Sequence, residues 1–128
     1  MKYLLDTCSF IWLAMPQGRL SERAIEILGQ SGNDWYLSDV SQWEVVMKQS
    51  AGKLPLPDVA RAWLPAQMAF HRLEGLPLDP ESIYRSGELP RLHADPFDRL
   101  LAAQAIENGM TILSPDIPLS LLGASRIW

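Results

Sequence analysis

A chain of 128 residues is close to one ordinary domain and can bury a core of its own. Its 48% hydrophobic and 20% charged content is that of an ordinary globular protein, and no run of roughly 18 uncharged apolar residues is present to span a membrane. A net charge of −4 lacks the basic excess of a protein that grips long nucleic acid through phosphates, yet leaves room for a small nuclease whose acids gather around a cation.

The segment Met1 to Asp6 meets an acid too early for a signal-peptide core. A single cysteine, Cys8, forbids an internal disulfide and fits a reducing cytoplasm. Lys2 to Leu5 is a short apolar run that predicts a first, central strand ending at Asp6. Ser9 to Ala14 predicts a short helix, stopped near Pro16-Gln17-Gly18. Ser21 can cap a second helix whose apolar face is Ala24, Ile25, Ile27 and Leu28, broken from Gly29 to Asn33. Trp35 to Leu37 reads as a second strand. Ser41-x-x-Glu44 has the form of a capping box opening a third helix, with Trp43, Val46 and Met47 as buried candidates.

The prolines of Gly52-Lys53-Leu54-Pro55-Leu56-Pro57 demand extended chain. Asp58 is expected to start a helix from Val59 to Leu64, which Pro65 kinks or ends before Ala66 to Ala69. His71 to Leu78 holds a third strand with a possible bulge at Gly75, and Pro80 to Gly87 a helix. Glu88 to Ala94 is a loop. Asp95 then stands as N-cap and Pro96 as first residue of an amphipathic helix with Phe97, Leu100, Leu101 and Ala105 on its buried face. Gly109 suits a left-handed cap to end it. Thr111 to Leu113 is a fourth strand, and Ala124 to Trp128 offers a fifth at an edge. Strands alternating with helices predict one α/β domain over 1–128 with a mostly parallel sheet.

In open α/β sheets, ligands bind beyond the carboxyl ends of the strands. Asp6 follows the first strand directly, Asp116 follows the fourth after two residues, Glu44 opens the helix after the second, and Asp98 opens the helix that feeds the fourth. Each acid taken alone has a capping or turn reading; capping does not require all four to converge. Such a cluster is unfavourable unless carboxylates protonate or a cation binds, and hard cations such as Mg²⁺ and Mn²⁺ take oxygen ligands. Without a His/Cys constellation for zinc, the chemistry that fits is metal-assisted hydrolysis of a phosphodiester. Thr7 and Ser9 are candidates to hold Asp6 or a water, and Arg99 and Lys48 to contact phosphate. His93 is left open. The five tryptophans read as core and interface.

Leu4-Leu5-Asp6-Thr7, Ser41-Gln42-Trp43-Glu44 with Lys48 and Gly52-Lys53-Leu54, His93-x-Asp95-Pro96-Phe97-Asp98-Arg99-Leu100-Leu101-x-Ala103-Gln104-Ala105, and Ser114-x-Asp116 together resemble PIN-domain ribonucleases, in particular VapC-type toxins of bacterial toxin–antitoxin pairs. The resemblance runs over essentially the whole chain. It implies a three-layer α/β/α fold of about five strands and an Mg²⁺- or Mn²⁺-dependent endoribonuclease. It maps the acidic site onto Asp6, Glu44, Asp98 and Asp116, with Asp95 as a structural cap. It also implies a homodimer, and a cognate antitoxin whose C-terminal segment blocks the site. Two positions depart from the branch: Cys8 stands where His is frequent, and Ser114-Pro115 where Thr-x is common.

Readings from other classes are a phosphoacceptor signalling domain, a haloacid-dehalogenase-type phosphatase and a non-catalytic interaction module. The first lacks an acid adjacent to Asp6, and the second finds Cys8 in its second acidic place. Labelled RNA with Mn²⁺ separates the third from an enzyme.

Overall fold

The computed structural model describes Met1–Trp128. Five strands form one parallel sheet: β1 (Lys2–Leu5), β2 (Asp34–Ser38), β3 (Leu73–Leu76), β4 (Thr111–Leu113) and β5 (Arg126–Ile127), in the order β3-β2-β1-β4-β5. The chain therefore builds outward from β1 to β3, then returns to the other side of β1 for β4. Connections on the two sides of β1 leave in opposite directions, which opens a crevice at the carboxyl ends of β1 and β4.

Period-two alternation along the strands explains the layers. Tyr3, Leu5, Trp35, Leu37 and Leu113 face a core completed by α1 (Thr7–Ala14), α2 (Glu22–Gly29) and α4 (Ala60–Phe70) through Phe10, Ile27, Trp63 and Leu64. Leu4 and Ile112 face the opposite core, completed by α6 (Pro96–Asn108) and the short α7 (Pro118–Leu121) through Leu101, Ala102, Ala105 and Leu119. The helix α3 (Asp39–Ser50) spans both, with Val40 in one core and Val45 in the other. The remaining helix, α5 (Pro80–Glu88), packs beside α6. The result is the three-layer α/β/α architecture expected from the sequence. No helix is long and apolar enough to cross a membrane.

Several local expectations change. α1 starts at Thr7, not Ser9, because Asp6 itself is the N-cap and accepts from the Ser9 N–H. α3 starts at Asp39, capped by Ser38, so the strand passes into the helix without a loop and Ser41-x-x-Glu44 lies inside it rather than at its mouth. That register buries Val40, Ser41 and Val45 and turns Trp43, Val46 and Met47 outward, at 54%, 45% and 45% exposure. Ile25 on α2 is likewise exposed. α4 opens after Val59, not at Asp58, and runs through Pro65 to Phe70; the Gln49 amide holds its entry by donating to Asp58 O and accepting from Ala60 N. Gly75 makes no bulge: it pairs in register with Leu37. α6 is as expected, with Asp95 as N-cap, Pro96 first and Gly109 left-handed at φ 63°. Of its expected buried face, Leu101 and Ala105 are buried while Phe97 and Leu100 are half-buried.

Candidate active site

The crevice at the switch point is a cleft of about 200 Å³ lined by Asp6, Glu44, Asp98 and Asp116, joined by Asp95. Thr7, Cys8, Ile11 and Lys48 complete its wall. The four acids singled out in the sequence thus share one cavity, and Lys48 is its sole basic residue.

Asp6 sits deepest, 3% exposed, where β1 ends. Its Oδ1 caps α1 through the Ser9 N–H at 2.9 Å. Its Oδ2 accepts a short hydrogen bond from the Ser114 hydroxyl, and the Cys8 thiol donates to both oxygens at 3.3–3.4 Å. Burial pushes the Asp6 carboxyl above its ordinary pKa, against the opposing hydrogen bonds from Ser114, Ser9 and Cys8. The carboxylate is therefore desolvated and has no basic partner, which a cation would offset.

Asp116 stands on the turn after β4, exposed, and its backbone N–H donates to Ser114 Oγ at 3.0 Å. One hydroxyl thus ties Asp6 to the segment that carries Asp116. Donor atoms of Asp6, Cys8 and Asp116 all lie within 4.8 Å of one another, a spacing a single ion can bridge. Glu44 and Asp98 line the same cleft outside this close group.

Those two outer acids each hold a base. Glu44 pairs with Lys48 one helical turn on, Nζ to Oε2 2.9 Å. Asp98 Oδ2 is 2.7 Å from His93 Nε2. Burial raises the Asp98 pKa, the His93 hydrogen bond opposes that, and the charges of Asp95 and Asp116 add to it. Asp95 accepts from the Asp98 N–H at 3.0 Å as a helix cap, while also reaching the cleft wall.

Of the two candidate phosphate contacts, one leaves the cleft and one stays in its wall. Arg99 does not face the cleft: its guanidinium donates to the carbonyls of Ser86, Leu89, Pro90 and His93, fastening the α5–α6 loop that carries His93. Lys48 is engaged by Glu44. Two residues that stand inside the quoted motifs take structural roles the sequence reading did not give them. Ser114 orients Asp6, and fully buried Gln104 joins the end of β2 to the following loop of β3 through Ser38 Oγ and Pro77 O. A polar Gln on the otherwise apolar stripe of α6 was the available signal for the second.

The donor set suits a divalent cation. Its oxygens are carboxylates, the buried one lacks a counter-charge, and Thr7 Oγ1 lies buried and unpartnered on the same wall.

A PIN domain family model matches residues 3–120, and the chain belongs to that family. Solved structures are similar in fold along nearly their whole length. A chain of VapBC2 from Rickettsia felis bound to a DNA fragment from its promoter is 19% identical, with a TM-score of 0.76 and coverage of 100% of this chain and 99% of that chain. A chain of DNA-bound VapBC from Salmonella typhimurium is 19% identical, with a TM-score of 0.69 and coverage of 100% and 97%. A chain of FitAcB from Neisseria gonorrhoeae is 18% identical, with a TM-score of 0.66 and coverage of 98% and 96%. No curated protein matches the sequence.

Proposed function

We propose that this PIN domain, a single unit over 1–128, is an Mg²⁺- or Mn²⁺-dependent endoribonuclease and the VapC-type toxin of a toxin–antitoxin pair acting in the cytoplasm. The observation that carries the reading is the sharing of one cleft by Asp6, Glu44, Asp98 and Asp116 at the switch point of the sheet. In the proposed site Asp6 and Asp116 hold the cation from the sheet side, and Asp98 and Glu44 from the helix side, directly or through water. A cation held there supplies Lewis acidity toward a phosphodiester. Ser114 keeps the Asp6 carboxylate aimed at the cleft, and Lys48 offers a charge to the incoming phosphate once Glu44 turns to the cation. A water oxygen bonds to phosphorus as the bond to the 3′ oxygen breaks, leaving 5′-phosphate and 3′-hydroxyl ends.

The test is cleavage of end-labelled RNA by the purified chain with Mg²⁺ or Mn²⁺, with chelator, and by Asp98→Asn, with circular dichroism as the check on folding. Cleavage that needs the cation and disappears in a folded Asp98→Asn supports the assignment. Cleavage that survives chelation, or is undiminished in that variant, overturns it.

Partners follow from the surface. A basic antitoxin side chain entering an acidic cleft is an effective inhibitor on Coulombic grounds. Trp43, Val46 and Met47, exposed on α3 beside Glu44, supply apolar area for a protein partner or for a homodimer. Growth arrest on expression, relieved by the protein encoded next to this chain, is the expected cellular result; arrest that this neighbour leaves unchanged contradicts the pairing.

A further inference from the structure

The turn that carries Asp116 is gripped from behind by a side chain outside the cleft wall. Arg126 lies half-buried on β5, at the edge of the sheet. Its Nη1 donates to the Ser114 carbonyl at 2.8 Å, and its Nε donates to Ser120 Oγ at 3.2 Å. One guanidinium therefore holds the chain just before Asp116 and again on α7, just after it. The planar, permanently charged fork of arginine suits two such bonds at once.

The Ser114 end of this grip is the one that reaches the site. The last rung between β4 and β5 pairs Leu113 with Ile127, so the Ser114 carbonyl stands beyond it and needs another donor. β5 supplies both backbone partners of this fully buried serine. Ile127 O accepts from its N–H at 3.1 Å, and Arg126 donates to its carbonyl. With the peptide groups on either side fixed, the hydroxyl is aimed to donate to Asp6 Oδ2 and to accept from the Asp116 N–H. A hydrogen-bonded relay thus runs from Arg126 through Ser114 to Asp6, with a branch to Asp116.

We propose that Arg126 is a positioning residue for the cation site: through Ser114 it sets the relative placement of Asp6 and Asp116. The inference rests on the reading of the cleft as a cation site. It gives β5, otherwise a two-residue edge strand, a part in the chemistry of the cleft.

Arg126→Met keeps an unbranched stem and removes both donors; Arg126→Lys keeps an ammonium on a stem of similar length. The experiment reads the Mn²⁺ affinity of the full chain by electron paramagnetic resonance of free Mn²⁺, for both variants, alone and combined with Ser114→Ala. Circular dichroism at the same temperature checks folding. Arg126→Met should weaken Mn²⁺ binding about tenfold, the lower end of what outer hydrogen-bonding partners are worth. Arg126→Lys should lose part of that, since one ammonium does not reproduce the fork. In the Ser114→Ala background Arg126→Met should cost less than about threefold, because residues that act through one contact are not additive. A merely structural Arg126 would lower the urea midpoint alone, or cost Mn²⁺ affinity equally in both backgrounds. Wild-type affinity in a folded Arg126→Met, or a further loss of about threefold or more on top of Ser114→Ala, overturns the inference while leaving cation-dependent RNA cleavage standing. Should Arg126→Met not fold, Arg126→Lys decides by the same cycle: wild-type affinity, or an equal loss in both backgrounds, overturns the inference. A wild type that binds no Mn²⁺ overturns this inference and the cation site together.

Discussion

The two sides of the cleft solve the problem of gathered negative charge differently. On the sheet side, Asp6 and Asp116 have no basic partner; a hydroxyl, a thiol and a backbone N–H hold the Asp6 carboxylate, while Asp116 is placed through its backbone N–H, which donates to the same Ser114 hydroxyl. On the helix side, Glu44 and Asp98 are each paired with a base of their own, Lys48 and His93. The sheet side is therefore electrostatically uncompensated, with Asp6 fixed by its hydrogen bonds, and a cation is the partner it lacks. The helix side is compensated and half-exposed, so its acids must exchange a base for a cation before they can act. A fixed acid with an unmet charge and acids with a replaceable base suit a site that must hold an ion and also admit a charged substrate.

The largest expected effect comes from the sheet side. Asp6→Asn keeps the shape, the cap to Ser9 and a bond to Ser114 but removes the charge. RNA cleavage should fall by more than about 100-fold, beyond what loss of an outer hydrogen-bonding partner costs, in a rate assay at saturating Mn²⁺. The same variant should melt higher than the wild type at neutral pH without metal. The folded pKa of Asp6 lies above its unfolded value, so the ionised carboxylate penalises the native state above that folded pKa. As pH falls through it toward the unfolded value near 3.8, the native protein takes up the proton first and the penalty is relieved. The stability advantage of Asp6→Asn should therefore shrink on acidification; an advantage independent of pH contradicts the assignment of the penalty to this carboxylate.

Ser114→Ala should come next, weakening Mn²⁺ binding by about 10- to 100-fold with little change in overall secondary structure, as calorimetric titration would read. Arg99→Ala tests the helix side through its scaffold. Stranding the carbonyls that this guanidinium serves should cost about 1–3 kcal/mol in urea unfolding and loosen the His93–Asp98 contact. Loss of activity without loss of stability would instead favour direct phosphate contact. The smallest effect is expected from Lys48→Ala, whose half-exposed i,i+4 pair with Glu44 is worth about 0.5 kcal/mol; a larger loss in the same unfolding assay would mean that the pair holds α3 in place.

The difference between the two sides also marks what the sequence discloses. Asp6 and Asp116 are legible because short apolar runs end at them, and α6 is legible because cap, proline and left-handed glycine agree. The start of α3 is not. Ser38 and Ser41 are both competent caps, and the choice rests on β2 continuing to Ser38, a tertiary fact that local pattern does not carry. The same shift turned Trp43, Val46 and Met47 from core candidates into exposed residues. Pro118–Leu121 escaped notice as a helix because four residues give no periodicity. Arg99 reads as a phosphate contact from its place beside Asp98, but its carbonyl partners come from a loop whose path no spacing reveals. The pairing of Glu44 with Lys48, by contrast, was available from their four-residue separation.

The central claim is that the uncompensated sheet side is what binds the cation. Electron paramagnetic resonance of free Mn²⁺, titrated into the wild type, Asp6→Asn and Lys48→Ala under identical conditions, tests it most directly. The expected result is bound Mn²⁺ in the wild type, retained in Lys48→Ala and lost in a folded Asp6→Asn. Equal Mn²⁺ binding by wild type and Asp6→Asn would contradict the claim.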